Sequence, residues 1–220
     1  MKKDTFISKK EKTFRECTLD FLEDTFGLDQ IKNLASLTKW LNEEGTISGH
    51  EEVQLKLLQE LLEFNVHDWN EQELDMNFIG PVFSLVNFSS KKYNLFAERS
   101  IEAEVGDWRL FGAPDNMIAS GRRKPKIPYF AFQEYKKHKD PKGDPAAQAL
   151  AAALVAQTLN KNQTPIYGCY VIGHDWYFFI LEDKQFAVSR DYSALSNEIF
   201  DIFRILRALK QIVIGFTSDN

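Results

Sequence analysis

The sequence predicts an α/β protein with a mixed central sheet flanked by helices and a helical extension at the N-terminus. Three observations predict it. The opening third repeats apolar residues at helical spacing. Residues 93–104 alternate apolar and polar positions, as a half-buried strand does, and two further strand-type segments follow up to 136, divided by turn residues. An Ala-rich helix then leads to a continuous apolar run, the pattern of a crossover to a parallel core strand. A chain of 220 residues suits a helical region over 1–68 packed on a core domain over 69–220.

Each element has a local reason. Phe14, Cys17, Phe21, Leu22 and Phe26 predict a helix over 10–26, with Gly27 as its stop. Ile31, Leu34, Leu37, Trp40 and Leu41 predict a second over 31–44. Ser48 caps a third, from about 51 to 64, with Leu55, Leu58 and Leu62 on one side. A fourth follows Trp69 and carries Phe78, Val82 and Val86, with Pro81 expected to kink or split it. Residues 93–104 read as one strand, and Gly106-Asp107 as a hairpin turn. Residues 108–119 read as the next strand and carry Asp115. Residues 129–136 read as the third, with Phe130 and Phe132 on the face shared with Glu134 and Lys136.

Asp144 and Pro145 then supply an N-cap and a first-turn proline for the Ala-rich helix. Apolar over most of its surface, that helix is expected to be buried against the sheet. Residues 165–173 form the parallel core strand, and WYFFILED returns from it. QFAVSRDYS reads as an edge strand, and a long amphipathic helix closes the chain.

The chemistry-bearing residues fall around the third strand. Asp115 lies in one apolar-flanked segment, Glu134 and Lys136 end the next, and Gln148 lies in the helix beyond. Mg²⁺ is a hard cation that takes oxygen ligands, commonly one or two carboxylates with water and substrate phosphate. Carboxylates on two neighbouring strands suit such an ion. Lys136, two residues from Glu134, shares its face and stands where it can orient water or neutralise charge on a phosphate. Two other acid-x-Lys triplets lack this context. Asp140-Pro141-Lys142 is turn chemistry, and Glu182-Asp183-Lys184 has only Asp175 close upstream, too near for two strands and a turn.

Pro114-Asp115, then Glu134-Tyr135-Lys136 at a strand end, then a helix with Gln148, resembles the PD-(D/E)XK nuclease superfamily with its restriction-endonuclease-like fold. The resemblance covers roughly residues 70–185. It implies that Asp115 and Glu134 bind Mg²⁺ or Mn²⁺, that the Tyr135 carbonyl is a further ligand, and that Lys136 assists the nucleophilic water. It implies a third acid from the helix before the first core strand, where Glu73 is the match. An acid near a helix N-terminus is also favoured by the helix dipole alone, and Glu98, Glu102 and Glu104 compete for the role. Some branches follow Gln148 with a Tyr four residues on, and here that position is Ala152. Gln148 either faces the site or bonds a loop carbonyl.

Charge separates the partners. Between Arg122 and Lys142 stand eight basic residues and two acids, a net +6, which leaves −11 for the rest of a chain whose total is −5. Arg122, Arg123, Lys124, Lys126, Lys137, Lys139 and Lys142 therefore form the expected phosphate grip beside the metal site. The acidic remainder excludes wide coating of nucleic acid. DNA is the expected substrate. The alternative is a nuclease-fold interaction or nucleic-acid-binding module without turnover, and a homodimer through the N-terminal helices fits either.

Cys17 and Cys169 show no metal-ligand spacing and read as reduced, buried thiols of a cytoplasmic protein. The basic N-terminus lacks a signal-peptide apolar segment, and no window is apolar enough to span a membrane. There is no P-loop, no GxGxxG and no zinc spacing.

Overall fold

The first described element is a strand rather than a helix. A computed structural model describes residues 10–136 and 143–218, beginning with β1 (Lys10–Thr13). A 3-10 turn over Phe14–Glu16 follows, and the predicted helix over 10–26 shrinks to α1 (Leu19–Phe26). The side chains explain the shift. Thr13 and Glu16 cap the 3-10 turn, while Thr18 caps α1 by accepting from the Phe21 N–H at 3.1 Å. Gly27, in the left-handed region at φ +67°, ends α1 as its sequence position predicted.

β2 (Asp29–Gln30) and α2 (Ala35–Leu41) replace the predicted helix over 31–44. α3 (Gly49–Asn65) carries the expected Ser48 cap, in a capping box with Glu51. The fourth predicted helix divides into α4 (Glu71–Leu74), a π-helical turn over Asp75–Ile79 and α5 (Gly80–Val86). Pro81 has no N–H to continue the α-helical ladder, and the backbone widens ahead of it, with the Gly80 N–H reaching the Asp75 carbonyl.

The predicted strand over 93–104 is two strands in different sheets, β3 (Tyr93–Ala97) and β4 (Ile101–Val105). Glu98, at φ +49°, turns the chain between them. The strand predicted over 108–119 also breaks in two, into β5 (Trp108–Gly112) and β6 (Asn116–Ser120), because Ala113-Pro114 leaves the ladder. Asp115 therefore precedes β6 instead of lying within a strand. β7 (Lys126–Lys136), α6 (Pro145–Leu159), β8 (Ile166–Ile172), β9 (Asp175–Glu182), β10 (Gln185–Ser193) and α7 (Glu198–Ser218) complete the chain.

The larger sheet has seven strands in the order β2-β10-β9-β8-β7-β6-β3, and the smaller has three in the order β1-β5-β4. In the larger sheet β7 and β8 pair in parallel across the α6 crossover, as the sequence predicted, and β2 pairs in parallel with β10. Its remaining pairs are antiparallel. β10 is thus one strand in from the edge, and β2 lies outside it.

Two apolar layers flank the large sheet. On one face Trp40, Leu55, Leu62, Phe83, Trp176, Phe178 and Phe203 join the helices α2, α3, α5 and α7 to the strands. Trp40 is held there by its indole N–H, which donates to the Ile205 carbonyl at 2.9 Å. On the other face α6 lies between the two sheets, with Phe14, Leu22, Val105, Leu110, Phe132 and Phe179 around it. That position explains a helix with almost no polar face, and its alanines allow close approach on both sides. Residues 10–68 share both layers. Both cysteines are buried and free. Among the described residues no helix is long and apolar enough to cross a membrane.

Candidate functional site

The site is assembled at the end of β7. β6 and β7 are antiparallel, with Asn116 opposite Gln133, so Asp115 arrives beside Glu134. The Tyr135 backbone N–H donates to Asp115 Oδ2 at 2.7 Å. Alternation along β7 then sorts the side chains. Phe132, Glu134 and Lys136 face α6, and Tyr135 faces the opposite layer. Phe130 does not share the face of Glu134, contrary to the pattern read from sequence. The register slips between Ile118 and Ala119, and this bulge sends Phe130 to the other layer.

Lys136 Nζ donates to Glu134 Oε1 at 3.0 Å and to the Tyr135 carbonyl at 3.0 Å, and stands 3.7 Å from Glu71 Oε2. Burial pushes the Glu134 carboxyl up to about 7, and the Asp115 charge adds to the rise against the opposing pull of Lys136. Burial likewise raises Asp115, against the pull of the Tyr135 N–H and Lys136. For Lys136, burial alone would lower the pKa, but Glu134, Asp115 and Glu71 outweigh it and hold the ammonium in its charged form. These are two carboxyls and a lysine forced close together in a partly dehydrated space.

Two cavities flank this cluster. One, of about 270 Å³, is lined by Glu134, Lys136, Gln148, Glu71 and Arg15. The other, of about 370 Å³, is lined by Asp115, Tyr135, Asp75, Glu98 and again Glu71. Glu71 thus borders both cavities. In the second cavity Asp75 has its pKa raised by burial, although the Tyr135 hydroxyl beside it acts the other way. Asn116 Nδ2 donates to that hydroxyl.

Gln148 was expected to face either the site or a loop carbonyl, and it lines the site. It is 6% exposed, and its Nε2 has no hydrogen-bond partner among the described residues. Asp115, Glu134, Tyr135, Lys136 and Gln148 are therefore brought together.

Glu73 is not brought in. Its carboxylate turns back to accept the Asn70 backbone N–H at 2.8 Å, closing a capping box on α4. Glu71 takes the place expected of it. The signal was present in the sequence: Glu71, Asp75, Phe78 and Val82 follow one helical stripe, and Glu73 lies off it. Among the competing acids, Glu98 lines the second cavity with Asp115, while Glu102 is exposed on the small sheet and paired with Arg109. Arg15, which sequence reasoning missed, reaches the first cavity because β1 pairs with β5, an association no local pattern announces.

The basic tip is not beside the carboxyls. Arg122, Arg123 and Lys124 are exposed on the turn joining β6 to β7, and Ser120 pairs with Lys126 there. Five residues of strand separate Asp115 from Ser120, about 17 Å at the usual strand rise. Charge counting along the sequence placed them together because it ignores strand direction. Lys137, Lys139 and Lys142 lie outside the described residues.

As the side chains stand, no group of three or more His, Cys, Asp or Glu side chains among the described residues is arranged to hold a metal ion. The chain matches no protein-family model and no curated protein.

Proposed function

We propose that this chain is a Mg²⁺- or Mn²⁺-dependent phosphodiesterase that hydrolyses nucleic acid, with DNA as its substrate, on a restriction-endonuclease-like core of the PD-(D/E)XK type. The observation that carries the reading is the junction of Asp115 with Glu134-Tyr135-Lys136. The Tyr135 backbone N–H, next in the chain to Glu134, holds the Asp115 carboxylate, and the Lys136 ammonium stands 3.0 Å from the Glu134 carboxyl.

The donor set suits a hard dication. Asp115, Glu134, the Tyr135 carbonyl and Glu71 offer oxygens only. Burial raises the pKa of both Asp115 and Glu134, and the Asp115 charge adds to the rise at Glu134; a cation between them would favour the ionised form of each. Such an ion would supply positive charge to the scissile phosphate and acidify the water beside it. The protein's own contribution is positional. Tyr135 fixes Asp115 through its amide, and Lys136 can move from Glu134 toward the phosphate once that carboxylate has another cation. The basic tip would hold the strand about 17 Å away, a span of several phosphates.

The test is cleavage of plasmid and single-stranded DNA with Mg²⁺ or Mn²⁺. Activity lost in Asp115→Ala, Glu134→Ala and Lys136→Ala supports the reading, and activity retained in all three rejects it. One observation favours a second reading, a nuclease-fold binding module without turnover. Lys136 already neutralises Glu134 and approaches Glu71. That reading predicts DNA binding with no metal-dependent shift in melting temperature.

A further inference from the structure

The cavity beside Glu134 has a wall that the proposed chemistry leaves unused. β1 lies in parallel register against β5, from Lys10 opposite Trp108 to Thr13 opposite Phe111. The turn after it is fixed in three ways. Thr13 donates through its backbone N–H and its hydroxyl to Glu16 Oε2, at 2.9 and 2.7 Å. The Cys17 thiol donates to the Thr13 carbonyl at 3.4 Å. Phe14, 5% exposed, packs so closely on Gly112 that a Cβ there would fall 2.5 Å from its ring. This short arm is a built feature, and it delivers Arg15 to the mouth of the cavity.

Arg15 and Gln148 both line this 270 Å³ space. Arg15 has no ion-pair or hydrogen-bond partner among the described residues. Gln148 is almost fully buried, and its Nε2 is likewise unpartnered. A buried donor left unpaired is costly, so the amide calls for an oxygen. The guanidinium makes that oxygen an anionic one, because Lys136 is already engaged by Glu134 and Glu71, the two acids of this wall. A planar guanidinium suits the paired oxygens of a phosphate better than an ammonium does.

We infer that Arg15 and Gln148 form a phosphate-binding subsite, in which a nucleic-acid phosphate places its non-bridging oxygens beside Glu134 and Lys136. The identity of the anion rests on the phosphodiesterase reading, but the subsite can be tested without turnover.

The experiment is binding in EDTA at fixed salt. A labelled single-stranded oligonucleotide is titrated with the protein by fluorescence anisotropy, once with a 5′-hydroxyl and once with a 5′-phosphate, with inorganic phosphate as competitor. Arg15 is exposed, so Arg15→Ala should fold normally. It is expected to weaken binding about tenfold, with partial recovery in Arg15→Lys and a comparable loss in Gln148→Ala. A loss for both oligonucleotides identifies an internal phosphate as the ligand, and a loss for the 5′-phosphorylated one alone identifies a strand end. Wild-type affinity in both Arg15→Ala and Gln148→Ala overturns the subsite, and so does a wild-type protein that binds neither oligonucleotide. If the wild type binds in this way but cleaves nothing with either metal, the subsite stands and the phosphodiesterase reading falls. If cleavage depends on Glu134 while binding ignores Arg15 and Gln148, the reading stands and the subsite falls.

Discussion

The backbone N–H of Tyr135 donates to Asp115 Oδ2, so a single amide ties the carboxylate ahead of β6 to the strand that carries Glu134 and Lys136. The bond stabilises the ionised form of Asp115, while burial and the neighbouring acids destabilise it. Replacing Asp115 with Ala removes both effects together. The lost hydrogen bond costs about 1–3 kcal/mol, and relief of the repulsion on Glu134 offsets part of that. Asp115→Ala should therefore melt within a few degrees of the wild type in EDTA. The rise in melting temperature on adding Mn²⁺, expected for the wild type, should be absent in the variant. A thermal melt with and without the ion measures both.

Glu134 gives the site a pH signature. Its folded pKa is raised from 4.5 to about 7, so between these values the folded protein binds a proton that the unfolded chain does not. Stability must then fall as pH rises from about 4.5 through about 7, and the loss is complete above that window. The limit for this one group is about 3 kcal/mol. Glu134→Gln, which cannot ionise, should flatten this part of the stability curve and be more stable than the wild type at pH 8. Urea denaturation at pH 5, 6.5 and 8 measures it, and a wild type whose stability climbs across that range contradicts the assignment.

Glu71 and Glu73 stand two residues apart and should separate cleanly. Glu73 serves the α4 capping box, so Glu73→Ala should cost about 1 kcal/mol of stability and leave metal response and cleavage unchanged. Glu71 stands between the two cavities, 3.7 Å from Lys136. Glu71→Gln should fold as well as the wild type and weaken the metal-dependent shift in melting temperature. The reverse pattern would restore Glu73 as the third acid.

This pair also shows how far the sequence could be read. Strand alternation was enough to place Glu134 and Lys136 on one face, and Asp144-Pro145 was enough to place α6, because each depends on neighbours a few residues apart. The small sheet was not legible. Its strands β1 and β5 lie almost a hundred residues apart, and the periodicity of residues 10–26 resembled a helix because Phe14 and Cys17 are buried for tertiary reasons. The break at Glu98 was missed because alternation continues across it while the chain changes sheets, and the break at Ala113-Pro114 because a proline inside an apolar-flanked run was read as part of one strand. The basic tip was misplaced for a related reason, since nearness in sequence says nothing about which end of a hairpin a residue occupies.

Gly112 couples the arm to the site. Its φ needs no glycine, but the Phe14 ring occupies the place of a side chain. Gly112→Ala must push Phe14 out of a well-packed layer, an overpacking that costs about 1–3 kcal/mol. The expected result is a lower melting temperature together with faster proteolysis ahead of Cys17, because β1 is an outer strand of the small sheet, paired with β5. Gly112→Ser should behave alike. Limited trypsin digestion, which has Lys10, Lys12 and Arg15 as its cleavage points between residues 10 and 17, reads the detachment directly.

The basic tip should act on affinity and not on the chemical step. Arg122, Arg123 and Lys124 are exposed and lie about 17 Å along the strands from Asp115, beyond a Debye length at physiological salt. At that distance their charge is screened from the carboxyl cluster, so they cannot stabilise charge that develops on a scissile phosphate. They can still neutralise phosphates farther along a bound strand. Arg122→Ala combined with Arg123→Ala should therefore raise KM with kcat unchanged. The slope of log affinity against log salt should fall by about 0.7–0.9 for each phosphate contact removed. Binding measured between 50 and 200 mM salt separates this from direct participation, which would lower kcat at saturating substrate and leave the salt slope unchanged.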